Sequence, residues 1–148
     1  MRLVIDTSVI IKGMIAPRRR KQGALLDEQL RLHKTAASIL DRVYARNAEL
    51  IIPTVAIVEI AAVSSRLTGK SEYGKEVALF VRSISQIITE RTILGESIDI
   101  AAEAGTSGFD SVFIACARVT QSLLVTDDKK MHEAALALGV QSKLLREM

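Results

Sequence analysis

Leu3-Val4-Ile5-Asp6-Thr7-Ser8, near the start of the chain, joins a short apolar run to an acidic residue and two hydroxyl residues. The branched apolar side chains favour a buried strand that ends at Asp6. Thr7 and Ser8 favour the first turn of a helix, which the apolar residues after them continue. Asp6 is therefore predicted where a strand ends and a helix begins, which is where open parallel sheets bind their ligands. A purely structural role as a helix cap is the alternative interpretation.

The rest of the chain repeats this pattern of a short apolar run followed by a helical segment. Strands are predicted at 50–53, 87–89, 123–126 and 143–145, and helices at 24–47, 54–68, 72–85, 97–104, 109–117 and 129–138. Short strands that alternate with helices are typical of a parallel sheet covered on both faces. The sequence therefore predicts one α/β domain over residues 1–148, a three-layer α/β/α architecture with a short central parallel sheet.

The composition excludes several classes of protein. With 148 residues, 49% of them hydrophobic and 25% charged, the chain has the balance of a globular domain rather than a disordered one. No apolar run approaches the roughly 20 residues that cross a bilayer, and the first strand begins too early for a signal peptide. Cys116 is the only cysteine, which excludes an internal disulfide and a cysteine-rich zinc site. We therefore expect a cytoplasmic protein with no membrane partner.

Glu59 is the most informative single residue, because it lies within an apolar helical segment. Ala56 and Val63, its neighbours on the same helix face, are apolar as well. A carboxylate in such surroundings is unfavourable to bury unless another group pairs with it. A solvent-facing position on the outer side of the helix is the alternative.

Three further acidic positions have both a structural and a functional interpretation. Asp110 opens an apolar helix, where an acid favours the helix dipole without any further role. Asp127 and Asp128 end a predicted strand, and either can start the helix that follows. One cap needs only one acid, so capping alone does not explain both.

These acids are predicted to converge at one edge of the sheet, since two of the positions follow parallel strands and two begin or lie early in helices. Clustered carboxylates repel one another and are favourable only with bound cations. A site of oxygen ligands suits Mg²⁺ or Mn²⁺, while His33 and His132 lie in charged helical segments and are interpreted as solvent-facing. Such ions activate water and stabilise charge on a phosphoryl group, so the pattern favours phosphate chemistry.

A basic segment interrupts the chain after the first helix. Arg18, Arg19, Arg20 and Lys21 lie between Pro17 and Gly23, a pattern that predicts an exposed loop. The net charge of +3 and the pI of about 9.2 are mildly basic. We expect these four cations to hold a polyanion by its phosphates, outside the acidic pocket. A solvated turn that only improves solubility is the alternative.

Taken together, the motifs resemble those of the PIN-domain ribonucleases, and most closely those of the VapC-type toxins. The resemblance spans nearly the whole chain and rests on four motifs in order: Val4-Ile5-Asp6-Thr7-Ser8, Ile52-Pro53-Thr54 followed by Glu59, Phe109-Asp110-Ser111 before an alanine-containing helix, and Leu124-Val125-Thr126-Asp127-Asp128. It implies a PIN-like fold and a metal-dependent endoribonuclease with Mg²⁺ or Mn²⁺ as cofactor. It also implies RNA as substrate, a small antitoxin protein as partner, and a homodimer.

The resemblance also assigns roles to individual residues. Asp6, Glu59, Asp110 and Asp128 correspond to the catalytic acids, of which Asp6, Asp110 and Asp128 are the expected metal ligands. Asp127 occupies the variable position of the last motif and is the alternative metal ligand to Asp128. Three hydroxyl residues are expected to support the acids by hydrogen bonds: Thr7, Ser8 and Thr126. The basic loop and the long helix after it are an expansion relative to the compact toxins, so the antitoxin-binding surface is not fixed by the resemblance.

Other functions predict different residues. An aspartyl-phosphate phosphatase of the haloacid-dehalogenase kind has a second Asp two residues after the first, where this chain has Ser8. A response-regulator receiver has paired acids after the first strand, which this chain lacks. A free-standing RNA-processing nuclease and a catalytically silent RNA- or protein-binding scaffold remain open, although a scaffold has no need of clustered carboxylates.

Overall fold

A computed structural model describes residues 1–18 and 21–148 of the chain. Within these residues the chain forms five strands, seven α-helices and a short 3-10 helix at Leu145–Glu147. The strands are β1 (Arg2–Ile5), β2 (Glu49–Pro53), β3 (Ser85–Ile88), β4 (Leu123–Thr126) and β5 (Ser142–Leu144). The helices are α1 (Thr7–Met14), α2 (Ala24–Tyr44), α3 (Thr54–Thr68), α4 (Ser71–Ile84), α5 (Glu90–Ala104), α6 (Gly108–Thr120) and α7 (Lys129–Ala137).

The five strands form one sheet in the order β3-β2-β1-β4-β5, and every neighbouring pair is parallel. This confirms the predicted three-layer α/β/α fold. It includes β3 and β5, the two strands that the sequence indicated only by short apolar runs. All strands end at the same edge of the sheet because they run in the same direction. Ile5 lies beside Val125, so the residues that follow β1 and β4 are adjacent in space.

The core lies between this sheet and helices that are packed in pairs. Helix α1 packs against α2, α3 against α4, and α5 against α6, while α6 also contacts β1, β2 and β4. Ile5 on β1 and Ile51 on β2 are fully buried, as expected for central parallel strands covered on both faces, and so is Phe113 on α6. None of the helices in the described ranges has both the length and the apolar composition needed to cross a membrane.

Helix α5 differs most from the sequence-based prediction. It begins at Glu90, whereas the sequence predicted a start at residue 97. The buried face consists of Ile93, Ser97 and Ile100, so a polar residue interrupts the apolar spacing that the prediction relied on. Two other predictions were wrong in detail, since His33 and His132 are half-buried rather than solvated, and α2 ends at Tyr44.

Candidate active site

Asp6 lies directly after β1, at the carboxyl edge of the sheet. Its backbone N–H donates to the carbonyl of Val125 at 2.9 Å, which extends the contact between β1 and β4 by one residue. Its backbone is extended and its side chain accepts from the N–H of Ser8, so Asp6 is the N-cap of α1. The capping interpretation is therefore correct for Asp6, but it accounts for only part of the surroundings of its side chain.

The Asp6 carboxylate is only 7% exposed and is held by two hydroxyl groups. The Ser8 hydroxyl donates to Oδ2 at 2.7 Å and the Thr126 hydroxyl donates to the same oxygen at 3.0 Å. Burial raises the pKa of Asp6 above its ordinary value, these hydrogen bonds lower it, and the charge of Asp110 raises it again. The net shift is upward, which indicates that the anion is incompletely compensated by the protein.

Thr126 connects two of the acidic positions. Its hydroxyl donates to Asp6 and accepts from the backbone N–H of Asp128 at 3.0 Å. Thr126 is fully buried at the end of β4, where it lies beside Leu144 of β5 in the sheet. One hydroxyl therefore sets the position of the Asp6 carboxylate relative to the turn that carries Asp128.

Glu59 projects from α3 towards the same edge and is half-buried. Its Oε2 atom has no hydrogen-bond partner in the described part of the chain, and neither has the buried Oγ1 of Thr7. Burial raises the pKa of Glu59, the nearby Thr7 hydroxyl lowers it, and the charge of Asp6 raises it further. The Thr7 hydroxyl is thus close enough to influence Glu59, although the two groups do not form a hydrogen bond of normal geometry.

Asp110 lies in the first turn of α6, but it is not the cap of that helix. Ser107 is the N-cap, and its hydroxyl accepts from the backbone N–H of Asp110 at 3.1 Å. The negative charge of Asp110 raises the pKa of both Asp6 and Glu59. The helix therefore begins without help from the Asp110 side chain, which points to a role for this carboxylate other than capping.

Asp127 and Asp128 are adjacent in sequence but have different surroundings. Asp128 is the N-cap of α7, and its Oδ1 accepts from the backbone N–H groups of Lys130 at 2.7 Å and Met131 at 3.0 Å. The Asp127 carboxylate is paired instead with Lys12 Nζ at 3.1 Å and with Arg146 at 3.1 Å. Asp127 is thus neutralised by two cations from opposite ends of the chain.

The four predicted catalytic acids line one cavity of about 260 Å³ at the carboxyl edge. Asp6, Glu59, Asp110 and Asp128 share it with the hydroxyl residues Thr7 and Ser8, whereas Asp127 is not among its lining residues. The sequence did not predict the apolar walls of the cavity, because nothing in their local sequence distinguishes them from core residues. These walls are formed by Ile11, Val63, Phe109 and Met131.

The donor set of this acidic pocket fits a divalent cation. Its polar side chains offer only oxygen atoms, which suit Mg²⁺ or Mn²⁺, and Glu59 Oε2 has no hydrogen-bond partner among the described residues. Among residues 1–18 and 21–148, no three acidic, histidine or cysteine side chains are grouped closely enough to hold one ion together. Mg²⁺ commonly binds through one or two carboxylates and keeps several waters, so the spacing is compatible with such an ion.

The basic segment lies partly outside the described residues. Arg18 and Lys21 are exposed, whereas Arg19 and Arg20 belong to the part of the chain that the structure does not describe. Asp127 contacts two cations, Lys12 and Arg146, and neither was identified from the sequence. No local pattern links these two cations to each other, since they are more than a hundred residues apart along the chain.

Comparisons with known proteins agree with this architecture. The family model of the PIN domain matches residues 3–136, which is most of the chain. No curated protein matches the sequence significantly.

Solved structures with a similar fold come from several bacteria. VapBC2 from Rickettsia felis, bound to a DNA fragment from its promoter, aligns with a TM-score of 0.65 at 15% identity and covers 97% of this chain and 98% of that one. A toxin-antitoxin complex from Klebsiella pneumoniae has a TM-score of 0.61 at 16% identity, covering 86% and 88%. FitAcB from Neisseria gonorrhoeae has a TM-score of 0.62 at 13% identity, covering 99% of each chain. At these identities the likeness supports the fold alone.

Proposed function

Because this chain belongs to the PIN domain family, we propose that it is an endoribonuclease that hydrolyses phosphodiester bonds with Mg²⁺ or Mn²⁺ as cofactor. The observation that carries the proposal is the convergence of Asp6, Glu59, Asp110 and Asp128 on one cavity. An uncompensated cluster of this kind is unfavourable in a protein that only needs to fold. Bound cations remove this cost and supply a reason for the cluster.

The protein residues have separable tasks in this proposal. Asp6, Asp110 and Asp128 would share the cation, one or two of them directly and the others through the waters that it keeps, while Ser8 and Thr126 fix the orientation of the Asp6 carboxylate. When bound, the cation activates water and stabilises charge on the attacked phosphoryl group. Burial raises the pKa of Glu59, and its buried Oε2 atom has no partner within residues 1–18 and 21–148. Both properties suit Glu59 to hold a proton from the attacking water at that oxygen.

We also propose that the nuclease is the toxin of a toxin–antitoxin pair in the cytoplasm. Support comes from the similar folds of VapBC2, of FitAcB and of a structure described as a toxin-antitoxin complex. The partner is then a small antitoxin protein. We expect a gene for a small protein immediately upstream. Its product should co-purify with this chain and block cleavage. Without such a partner, a free-standing RNA-processing role is favoured.

A homodimer is proposed as the assembly. Several large apolar side chains between α2 and α4 are more than half exposed, among them Tyr44 at 67%, Val58 at 67% and Leu79 at 59%. Exposed apolar side chains mark a protein interface where they adjoin one another, and the Tyr44 ring lies 6.0 Å from the ring of Phe80, centroid to centroid. Light scattering at micromolar concentration is expected to give the mass of a dimer, and a monomeric mass contradicts the proposal.

The main experiment compares the wild-type protein with Asp6→Asn and with a surface control, Asp99→Asn, on the exposed side of α5. RNA and DNA are incubated with each protein in Mn²⁺ or in chelator, and melting temperatures are recorded in the same buffers. We expect the wild type and Asp99→Asn to cleave RNA only with metal, and Asp6→Asn to be inactive but folded. Metal should also raise the melting temperature of the wild type, because a ligand that binds only the native state stabilises it.

Two results count against the proposal. Full activity in Asp6→Asn removes the acidic pocket from the reaction. A wild-type melting curve that does not respond to millimolar Mn²⁺ removes the metal site. Cleavage of DNA in preference to RNA keeps the nuclease but changes its substrate.

A further inference from the structure

A second cavity adjoins the acidic pocket and has no role in the function proposed above. It encloses about 350 Å³ between the end of α1, the segment that follows it, α2 and the last turn of α3. Its walls are mainly apolar, with polar and cationic side chains among them: Ile11, Lys12, Ile15, Ala16, Pro17, Arg18, Gln29, His33 and Leu67. The volume is within the range of cavities that enclose small organic ligands.

The two cavities are joined through α1. Ile11 lines both of them, and its side chain is only 6% exposed. Thr7 and Ser8, at the start of α1, face the acidic pocket, whereas Ile15 follows the end of the helix and lines the second cavity. At about 1.5 Å of rise per residue, the distance along the helix from Ser8 to Ile15 is about 10 Å. A polymer whose backbone crosses the acidic pocket therefore brings its neighbouring unit to the second cavity.

The charge of the lining differs in sign between the two cavities. Among the described residues that line the second cavity, the charged side chains are those of Lys12 and Arg18, and no carboxylate is present. Lys12 is already paired with Asp127, which holds its ammonium group next to the turn of Asp128. Arg18 is exposed at the mouth. This distribution favours a ligand that carries negative charge outside the cavity and an uncharged group within it.

The polar side chains offer directional hydrogen bonds. His33 Nδ1 lies 2.6 Å from the carbonyl of Lys12, and since a carbonyl only accepts, Nδ1 must donate. In the neutral ring Nε2 is then an acceptor, and no protein partner engages it within the described ranges. The half-buried Gln29 supplies both an amide donor and a carbonyl acceptor. Together they present a donor and two acceptors beside apolar walls.

We propose that this cavity receives a base of the RNA strand next to the cleaved bond and thereby sets the sequence preference of the enzyme. The inference rests on the proposed ribonuclease function and adds a specificity site to it. Proteins that read single-stranded RNA stack an unstacked base on an aromatic ring or an Arg guanidinium and bond its polar edge. His33 and Arg18 supply such planar groups here, and Gln29 supplies donors and an acceptor for the base edge. Ile11, Ile15 and Leu67 form the apolar walls around them.

The first part of the test measures which base the wild type prefers. A pool of short single-stranded RNAs of random sequence is cleaved by the wild-type protein with Mn²⁺, and the products are sequenced. We expect a base preference at one position beside the cleaved bond. An RNA of the preferred sequence is then prepared with a single abasic nucleotide at each position in turn. In the Asp6→Asn background, which leaves the RNA intact, the abasic nucleotide at the preferred position should weaken binding about tenfold, the loss typical of one stacked base.

The second part places a charge in the cavity. Gln29→Glu keeps the size of the side chain but removes the amide donor and adds a negative charge, and its half-exposed position on α2 is compatible with folding. Gln86→Glu is the matched control, because Gln86 is exposed on β3 and lines a cavity beside Glu49 and Leu50, near the amino ends of the strands. We expect Gln29→Glu to lose the base preference and the tenfold abasic effect, with an unchanged Mn²⁺-dependent rise in melting temperature. Gln86→Glu should behave like the wild type.

The outcomes separate this inference from the function on which it rests. A wild type that cleaves no RNA refutes the ribonuclease function and the base site together. Two other results overturn the base site alone. One is cleavage without a base preference, and the other is a base preference that Gln29→Glu and Gln86→Glu alter equally. If Gln29→Glu leaves RNA binding unchanged but abolishes binding of a co-purified small protein, the cavity belongs to a protein partner and the proposal is wrong.

Discussion

Two neighbouring aspartates at the end of β4 show how one residue step changes the role of a carboxylate. Asp127 is directed towards Lys12 and Arg146, and its backbone carbonyl accepts a further bond from Arg146 at 3.0 Å. Asp128 uses Oδ1 to cap α7 and lines the acidic pocket. The pairing of Asp127 with two cations fixes the turn from which Asp128 projects. We therefore propose a supporting role for Asp127 and a metal-binding role for Asp128.

Asparagine substitutions distinguish these roles. Asp128→Asn should abolish cleavage with little loss of stability, because Asn is about as good an N-cap as Asp. Asp127→Asn should retain the Mn²⁺-dependent rise in melting temperature but lower the free energy of unfolding by about 1 kcal/mol, since its cationic partners are partly exposed. Chemical denaturation and RNA cleavage are measured on both variants. The opposite pattern, with loss of the metal response in Asp127→Asn, reverses the assignment.

The Asp6 carboxyl predicts a specific dependence of stability on pH. Its pKa in the folded protein is raised above the ordinary value of 3.8, mainly by burial. The folded state therefore binds more protons than the unfolded state between these two pKa values, so this group destabilises the fold progressively as pH rises through that window. The penalty is complete above the folded pKa and absent below the unfolded pKa.

Asp6→Asn removes this titration and keeps the two shorter hydrogen bonds, because an amide oxygen in the place of Oδ2 still accepts from the Ser8 and Thr126 hydroxyls. Only the long bond from the Ser8 backbone N–H, at 3.4 Å, is lost. In chelator at neutral pH we expect the variant to melt at a higher temperature than the wild type. The difference should narrow as the pH is lowered towards about 4, near the unfolded pKa of Asp. Melting curves across this range, with Asp99→Asn as a reference, test the prediction. A difference that widens at low pH contradicts it.

The sequence predicted the acids of the site better than their partners. Glu59 conflicts with its apolar helical surroundings, which made it visible by itself. Asp6, Asp110 and Asp128 each fit a helix start, and they became visible only as a set of motifs in order along the chain. Their catalytic and metal-binding roles remain predictions, although the structure places all four around one cavity. Lys12 and Arg146 were missed because a surface cation carries no local pattern. Their contact with Asp127 depends on the folded arrangement of both chain ends.

At the scale of elements, the packing of α3 against α4 controls the position of Glu59. Gly74 on α4 lies so close to α3 that an added Cβ would be 1.9 Å from the Ser65 hydroxyl and 2.5 Å from the Ala61 carbonyl. Helices that approach this closely require a glycine at the contact. The site therefore depends on a residue that is not part of it.

Gly74→Ala should separate the two helices and lower the free energy of unfolding by about 1–3 kcal/mol, the usual cost of overpacking. Gly95→Ala on α5 is the matched control, because an added Cβ there meets no atom within 4 Å. That change should instead stabilise the protein by about 0.5–1 kcal/mol, as alanine favours a helix interior. Urea denaturation of both variants measures the difference. Equal effects of the two substitutions disprove the close contact.

The elements themselves were predicted with uneven success, for physical reasons. The strands were identified because buried parallel strands are short, apolar and bounded by turn or capping residues, as in Glu49–Pro53 and Leu123–Thr126. The start of α5 was missed because Ser97 occupies its buried face. The order of strands in the sheet was not predicted, since it depends on crossover connections that local periodicity does not encode.

On the scale of the whole molecule, charge is separated between the acidic pocket and the basic segment of residues 18–21. The chain carries a net charge of +3, yet its proposed catalytic cavity is lined by four acids. Before cations bind, this cavity repels a polyanion. Attraction for RNA must therefore come from cations elsewhere on the surface, and Arg18 and Lys21 are exposed on the chain segment that follows α1.

Replacement of the whole basic segment by Ser should weaken binding to every RNA by a similar factor and reduce the salt dependence of that binding. The residues replaced are Arg18, Arg19, Arg20 and Lys21. Each lost phosphate contact should decrease the slope of log affinity against log salt by about 0.7 for a single strand. The charge-matched control replaces four exposed cations on α2 and around α4 by Ser: Lys34, Arg42, Lys70 and Arg82. Affinities are measured across a salt series in the Asp6→Asn background. If the segment contacts RNA, only the first replacement should flatten the slope, because a general change of net charge affects both proteins alike. Equal slopes for the two replacements mean that the segment is a solvated turn.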